Sequence, residues 1–154
     1  MSFEIERRFV VDRDVSALCR AGTRITQGYL WAEGGANLRV RLCDKGGLLT
    51  LKGPRDGIVR REVEVAIPAE RARLLLDSLD PGQLIHKTRY LVDHAGMEWM
   101  VDVFDGDLAG LVIAEVELDH PQQPVALPDW LGREITGEAR FGNSSLARLR
   151  SAAA

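Results

Sequence analysis

The sequence SFEIERRFVV, residues 2–11, alternates charged and apolar side chains. Because successive side chains of a β-strand point to opposite sides, Glu4, Glu6 and Arg8 share one face and the apolar residues between them share the other. The apolar face can be buried, whereas a row of charges must face water or surround a charged ligand. This stretch therefore predicts a strand whose two faces have different environments.

The same alternation recurs in seven further segments of the chain. They are residues 23–32, 36–44, 47–53, 58–67, 84–95, 97–105 and 111–120. Glycine pairs and an Asp-Gly step separate several of them, and glycine accepts the positive φ angles of tight turns. Eight strands joined mainly by short turns predict an antiparallel meander that closes into a barrel. With the apolar faces outward, the charged faces line the interior.

Helices are expected to be few. A helix begins after Pro68 and ends before Pro81, because leucines and an alanine fall on one helical face between them. Shorter helices are expected at residues 15–21, 129–131 and 143–150. The predicted fold is α+β and dominated by β-structure: an eight-stranded antiparallel β-barrel enclosing a charged tunnel, with flanking and C-terminal helices. At this length, residues 1–154 form a single domain.

Composition excludes several classes of protein. No apolar run approaches the roughly 20 residues of a membrane helix, and the charged N-terminus does not resemble a signal peptide, so we expect a cytoplasmic protein without membrane association. Two cysteines in such a protein are expected to be thiols. A net charge of −3 argues against nucleic-acid binding. Apolar outer surface that the helices do not cover predicts a homodimer.

The predicted interior carries both signs of charge, which is expensive unless the charges pair or meet a ligand. Clustered carboxylates bind a hard divalent cation through oxygen, and arginine and lysine bind phosphate oxygens. The alternation therefore points to a polyanion bound together with a metal ion.

Several motifs identify a family that the chain resembles. They are Glu4-Ile5-Glu6-Arg7-Arg8, Gln27-Gly28-Tyr29-Leu30, Leu38-Arg39-Val40-Arg41, Thr50-Leu51-Lys52-Gly53, Arg60-Arg61-Glu62-Val63-Glu64, Lys87-Thr88-Arg89-Tyr90, Asp102-Val103-Phe104 and Glu115-Val116-Glu117. In order and spacing they resemble the CYTH superfamily, the triphosphate tunnel metalloenzymes, over essentially the whole chain. The resemblance is greatest to the small bacterial inorganic triphosphatases. It implies an eight-stranded barrel with a charged tunnel, in agreement with the alternation.

The resemblance also implies roles for individual residues. Carboxylates that would bind one or two Mg²⁺ or Mn²⁺ ions are Glu4, Glu6, Glu62, Glu64, Asp102, Glu115 and Glu117. Cations that would bind the triphosphate substrate are Arg39, Arg41, Lys52, Arg60, Lys87 and Arg89. Arg8 and Tyr29 would be the catalytic residues. Hydrolysis would then rest on positioning and charge stabilisation, with a metal-oriented water as nucleophile.

Arg8 departs from the family pattern, because the first motif normally ends in lysine. Lysine can lose a proton in a tuned site, whereas arginine effectively cannot. If the reaction needs proton exchange at position 8, the protein is slow or inactive; if it needs only positive charge against phosphate, Arg8 suffices. We favour the second, because phosphoryl transfer depends mainly on electrostatic stabilisation.

Three hypotheses for function follow. The first is a divalent-metal-dependent triphosphatase that hydrolyses inorganic tripolyphosphate. The second is a related enzyme acting on an organic triphosphate, either a triphosphatase for thiamine triphosphate or a nucleotide, or a class IV-type adenylate cyclase. The third is a noncatalytic protein that binds polyphosphate or nucleotide because Arg8 has abolished turnover.

Overall fold

The computed structural model of the protein describes residues 2–143 and 145–146. Among these residues, eight strands and one α-helix can be given with both their bounds, and residues 143, 145 and 146 are helical as well. The strands are β1 (Ser2–Val10), β2 (Thr23–Glu33), β3 (Ala36–Cys43), β4 (Gly46–Asp56), β5 (Val59–Ile67), β6 (Ile85–His94), β7 (Met97–Phe104) and β8 (Val112–Glu117), and the helix is α1 (Ala69–Asp77). Short 3₁₀ turns occupy Pro81–Gln83, Gly106–Leu108 and Ala139–Phe141. The predicted strands agree with these bounds to within a few residues.

The eight antiparallel strands close a barrel in the order β1-β5-β4-β3-β2-β6-β7-β8. The runs from β2 to β5 and from β6 to β8 are meanders, as the alternation predicts. The expected simple meander is wrong for β1, which is inserted between β5 and β8. Glu4 lies opposite Arg60 of β5, and Arg8 lies opposite Glu115 of β8. The opening strand thus joins the two ends of the sheet, with an opposite-charge pair on each side and two carboxylates, Glu6 and Glu117, opposite each other.

Tight turns connect most neighbouring strands. Gly34 and Gly35 lie between β2 and β3 with φ values of 59° and 81°, a pair of left-handed conformations that suits a two-residue hairpin. The expected helices at residues 15–21 and 129–131 are turns instead. The helix expected at residues 143–150 falls largely outside the described residues.

Helix α1 packs on the outside of the barrel. Ala72 and Leu76 are buried there against Val40 and neighbouring aliphatic side chains. A Cβ atom at Gly47 would lie 2.6 Å from the Ala72 Cβ, so glycine is required for this close approach. Among the described residues, no helix is long and apolar enough to cross a membrane.

The apolar core lies between the barrel wall and the segments that cross it. Trp99 is fully buried, with the Phe9 ring centroid at 5.7 Å and the Trp130 centroid at 5.9 Å. A second cluster joins Ile85 to Leu146, so the chain's C-terminal part also packs on the barrel. Because the apolar faces of the strands point outward, the polar faces enclose the interior, where the candidate functional site lies.

Candidate functional site

A cavity of about 530 Å³ occupies the barrel interior. Thirteen of the fifteen residues predicted for the site line it. They are Glu4, Glu6, Arg8, Tyr29, Arg39, Arg41, Lys52, Arg60, Glu62, Glu64, Arg89, Glu115 and Glu117. The hairpin between β2 and β3 and the segment from Gly137 to Ser145 also contribute to its wall. Strand alternation thus brings together residues from distant motifs in one polar space.

Lys87 and Asp102, the other two predicted residues, do not line this cavity. They are fully buried behind its wall, where Lys87 Nζ donates to Asp102 Oδ2 at 2.6 Å. Arg89 donates to both Asp102 oxygens, at 2.7 and 2.8 Å, and its Nη2 also reaches Glu115 Oε1 at 3.1 Å. Such bidentate contacts fix the plane of a guanidinium. Lys87 and Asp102 therefore support the cavity-lining residues Arg89 and Glu115.

The electrostatics of this buried network follow from its geometry. Burial lowers the pKa of Lys87 to about 7, against the opposing attraction of Asp102. Burial would raise the pKa of Asp102, but Lys87 and Arg89 outweigh it and hold that pKa below its ordinary value. Since Arg89 already engages both Asp102 oxygens, the aspartate compensates the lysine only in part.

On the opposite side of the cavity, the ion pairs are more open. Lys52 Nζ lies 2.6 Å from Glu4 Oε1 and 3.2 Å from Glu62 Oε2. Arg55 Nη2 donates to Glu6 Oε1 at 2.9 Å. Each contact joins a lysine or arginine, which could bind phosphate, to a glutamate, which could bind a metal ion. A phosphate would therefore compete with the glutamate for the cation, and a metal ion would compete with the cation for the glutamate.

Arg55 is a residue that alternation does not predict. Counting by twos from Lys52 points Pro54 inward and Arg55 outward. In the structure Lys52 pairs with Glu62 but Arg55 pairs with Arg60, so a β-bulge at Gly53-Pro54 turns Arg55 into the cavity. The signal was present in the sequence, because glycine and proline inside a strand are typical of bulges.

Several buried nitrogen donors in the cavity wall have no hydrogen-bond partner among the described residues. They are Arg8 Nε, Arg39 Nε, Arg41 Nε and Arg55 Nη1. Burial, with Arg39 and Arg89 nearby, lowers the pKa of Arg41 to about 10. Buried donors without acceptors are costly and rare, and like charges at close range add to that cost. An anion with several oxygens, held in the cavity, would satisfy them.

Carboxylates crowd the same cavity. Burial, followed by the charges of Glu115 and Glu4, raises the pKa of Glu6 to about 8. Burial, with Glu4 and Glu62 nearby, also raises the pKa of Glu117. Burial acts on Glu115 in the same direction, but Arg8 and Arg89 outweigh it and hold its pKa well below the ordinary value. Carboxylates that repel one another in this way attract a divalent cation.

These carboxylates fit a divalent metal in their chemistry. They offer only oxygen ligands, which hard cations prefer, and Glu4 Oε2 is buried without a hydrogen-bond partner among the described residues. Within the part of the chain that the structure describes, no three acidic, histidine or cysteine side chains already converge on one metal position. Lys52 and Arg55 hold Glu4 and Glu6 in ion pairs instead.

Arg8 lies at the join between β1, β8 and the C-terminal segment. Its Nε lies 3.6 Å from Glu115 Oε2, and its Nη1 donates to the Phe141 carbonyl at 3.0 Å. Its backbone N–H donates to Thr136 Oγ1 at 3.0 Å. Tyr29 lines the same cavity, opposite Arg39 on the neighbouring strand. Arg8 therefore presents a fixed positive charge that is buried and anchored on two sides.

Arg60 differs from the other predicted substrate ligands. Its Nε donates to the Gly53 carbonyl at 2.6 Å and its Nη2 to the Gly35 carbonyl at 2.7 Å. These two bonds tie the bulge of β4 to the β2–β3 hairpin. Arg60 lines the cavity, yet much of its hydrogen-bonding capacity is used to hold the wall.

Fold and site together define a class of protein: an antiparallel barrel whose interior combines carboxylates and cations around an open cavity. A CYTH domain matches residues 2–149, and the chain belongs to that family. Triphosphatases of the family generally depend on a divalent metal.

Named relatives cover almost the whole chain. An inorganic triphosphatase of Acetivibrio thermocellus is 40% identical over 148 residues, which are 96% of this chain and 95% of the relative. An inorganic triphosphatase of Nitrosomonas europaea is 33% identical, and the match covers 94% of this chain and 96% of that relative. A crystal structure of an inorganic triphosphatase superposes with a TM-score of 0.67 at 30% identity, covering 96% of this chain and 95% of that one.

Proposed function

We propose that this protein is a divalent-metal-dependent triphosphatase that hydrolyses inorganic tripolyphosphate inside the barrel. The observation that carries the proposal is the set of buried arginine donors without acceptors, which faces a crowded set of carboxylates in one cavity. An anion of several phosphates would satisfy the donors, and a metal would relieve the carboxylates. The two relatives named inorganic triphosphatase support the same substrate.

The cations of the cavity would bind the substrate. Arg39 and Arg41 have unpaired Nε donors, and Arg89 is held in a fixed plane by Asp102. Guanidinium groups suit bidentate contact with phosphate oxygens, whereas Lys52 would act as a point charge. Lys87 would act indirectly, because it supports Asp102 and does not line the cavity.

Mg²⁺ or Mn²⁺ is the metal that we propose, held mainly by carboxylates of β1 and β8. Glu4, Glu6 and Glu117 line the cavity, and Glu4 has a buried oxygen that accepts no hydrogen bond from the described residues. Glu62 and Glu64 of β5 line the cavity too and complete the acidic set, while Asp102 is committed to Lys87 and Arg89. The chemistry supplied by a cation there is neutralisation of phosphate charge and orientation of a water molecule.

Hydrolysis would proceed by attack of water on the terminal phosphorus and cleavage of its bond to the bridging oxygen, which yields orthophosphate and pyrophosphate. Arg8 would stabilise the charge that develops on the phosphoryl oxygens, since its position beside Glu115 and the Phe141 carbonyl fixes its guanidinium. Tyr29 would contribute a hydroxyl group at the same cavity wall. Neither role needs proton exchange at Arg8.

The test is phosphate release from tripolyphosphate with Mg²⁺ or Mn²⁺ and with chelator. We expect metal-dependent turnover in the wild type and a loss of about 100-fold or more in Glu4→Gln, a magnitude typical of removing one electrostatic group from a preorganised site. Glu98→Gln at the exposed end of β7, next to the turn with β6, is the matched control. Wild-type protein that releases no phosphate under any of these conditions would overturn the proposal.

The variant Arg8→Lys tests whether the reaction needs only a positive charge at position 8. If positive charge alone is needed, the variant keeps activity within about tenfold of the wild type. Turnover that appears only in Arg8→Lys would instead identify the natural protein as a binding protein.

Parallel assays with ATP and thiamine triphosphate distinguish the organic alternatives, because cyclisation of ATP yields pyrophosphate and hydrolysis yields phosphate.

We further propose that the protein is a cytoplasmic homodimer. Trp31, Leu38, Leu51 and Val63 form an outward row across four adjacent strands, and three of them are more than 40% exposed. A second copy could cover this row across a two-fold axis. Light scattering should give twice the chain mass, and Leu51→Lys should give the monomer mass; a monomeric wild type would refute the dimer. A reducing compartment agrees with the two free cysteines.

A further inference from the structure

Arg55 is the cavity cation whose position depends on a backbone irregularity. The bulge at Gly53-Pro54 places it opposite Arg60, on the inward side of β4. Its side chain is 26% exposed to the cavity, and its ion-pair partner Glu6 is 5% exposed. An arginine between a buried carboxylate and an open cavity can contact both.

The hydrogen bonds of Arg55 leave one nitrogen available. Nη2 donates to Glu6 Oε1 at 2.9 Å, while Nη1 is buried and has no partner among the described residues. Arg60, its neighbour across the strands, spends Nε and Nη2 on backbone carbonyls. Of these two arginines, Arg55 is the better placed to bind a ligand.

The local charge balance points to the same kind of ligand. Arg55 and Arg60 are directly opposed in register, and like charges in that relation destabilise a sheet. Burial, and secondarily Arg55, lowers the pKa of Arg60. A polyanion placed between the two guanidinium groups would relieve the repulsion and satisfy Arg55 Nη1.

We propose that Arg55 is a substrate-binding residue: its Nη2 orients the Glu6 carboxylate while its Nη1 donates to a phosphate oxygen of the triphosphate. The inference rests on the proposed function for its substrate class. Arg55 is absent from the residues that the family motifs suggest. In this proposal Arg55, and not Arg60, makes the main substrate contact on the β4–β5 hairpin. A single side chain then couples substrate binding to the orientation of one carboxylate.

The experiment compares Arg55→Gln, Arg55→Lys and Arg61→Gln. Arg61 lies on the same hairpin but faces outward opposite Phe3, so its variant controls for loss of one positive charge. Calorimetry measures the Kd of tripolyphosphate in chelator, and steady-state kinetics with Mg²⁺ measures kcat and KM. Circular dichroism and thermal unfolding verify that each variant is folded.

We expect Arg55→Gln to raise the metal-free Kd and the KM by about tenfold or more, in line with the loss of a charge-assisted hydrogen bond. Arg55→Lys should fall between this variant and the wild type, and Arg61→Gln should bind within about threefold of the wild type. Unchanged Kd and KM in folded Arg55→Gln, with wild-type turnover intact, would overturn the inference and leave the proposed function standing. A wild type without turnover whose binding is weakened by Arg55→Gln would overturn the function and leave the inference standing.

Discussion

Two walls of the barrel interior carry the same types of charge but differ in how completely those charges are paired. In the wall of β6, β7 and β8, called here the saturated wall, Lys87, Arg89 and Asp102 satisfy one another behind the cavity. In the wall of β1, β4 and β5, called here the open wall, Glu4 and Arg55 each keep a buried atom without a partner among the described residues. The difference teaches that Lys87 and Asp102 shape the site by holding Arg89 in place, whereas the open charges are left for ligands.

The largest effect is expected from breaking the saturated wall. Asp102→Asn leaves Lys87 and Arg89 without their shared anion, and removing one partner of a buried ion pair costs about 3–5 kcal/mol of stability. Urea unfolding followed by circular dichroism measures the loss. Asp93→Asn, near the exposed turn of the same hairpin, should change the free energy of unfolding by no more than about 0.5 kcal/mol. A loss below about 1 kcal/mol in Asp102→Asn would contradict the role given to this wall.

Arg41→Gln should separate binding from stability. Arg41 is crowded by Arg39 and Arg89 and keeps an unpaired Nε, so replacing it removes repulsion. We expect tripolyphosphate to bind about tenfold more weakly, which corresponds to one lost charge-assisted hydrogen bond. The free energy of unfolding should stay equal or rise, as is typical of functional residues that cost stability.

Calorimetry and urea unfolding on the same preparation measure both properties of Arg41→Gln. Arg24→Gln, at an exposed position on β2, is the control for charge. If Arg41→Gln lost more than about 1 kcal/mol of stability, Arg41 would belong to the scaffold and not to the ligand-binding set.

The pH dependence of stability tests the carboxylates of the open wall. In the folded protein the pKa of Glu6 is raised to about 8 from its ordinary value of 4.5. The folded state therefore holds this proton more tightly, and its stabilising contribution is complete below about pH 4.5 and is lost as the pH rises through about 8. Glu6→Gln should lose that dependence, so its unfolding free energy relative to the wild type's should rise by at least about 1 kcal/mol between pH 5 and pH 8. Parallel curves for the two proteins would contradict the raised pKa.

The smallest effect is expected outside the barrel. Arg7 Nε and Nη2 donate to the two Glu134 oxygens at 2.7 and 2.9 Å, but both side chains are partly exposed. Solvent screening limits such pairs, so Arg7→Gln should cost about 0.5–1 kcal/mol in urea unfolding and leave turnover unchanged. A change in kcat would show that the outer face communicates with the cavity.

Alternation in the sequence was sufficient to predict the strands and the charged interior. It works because period two is the geometry of an extended chain, and it places Glu4, Arg39 and Glu115 correctly inside. It fails at Arg55, because one extra residue in a bulge reverses the two faces beyond it.

Pairing between strands could not be predicted in the same way. The choice of β5 and β8 as neighbours of β1 depends on contacts between residues far apart in the chain. The same holds for Lys87 and Asp102, whose types suggest ligands but whose mutual pairing removes them from the cavity wall. Local patterns specify the face of a residue, but the partner on that face depends on the fold.

The insertion of β1 between β5 and β8 has a consequence for how the chain is made. A ribosome releases β1 before the other strands, but β8 extends to Glu117, so the barrel can close only after that residue has emerged. Residues 2–5 of β1 can pair with β5 earlier, but until then Glu6 and Arg8, whose strand partner is β8, lie on an unpaired half of β1. Such unpaired edges are prone to association with other chains. Nascent chains that end before β8 should therefore lack the assembled cavity.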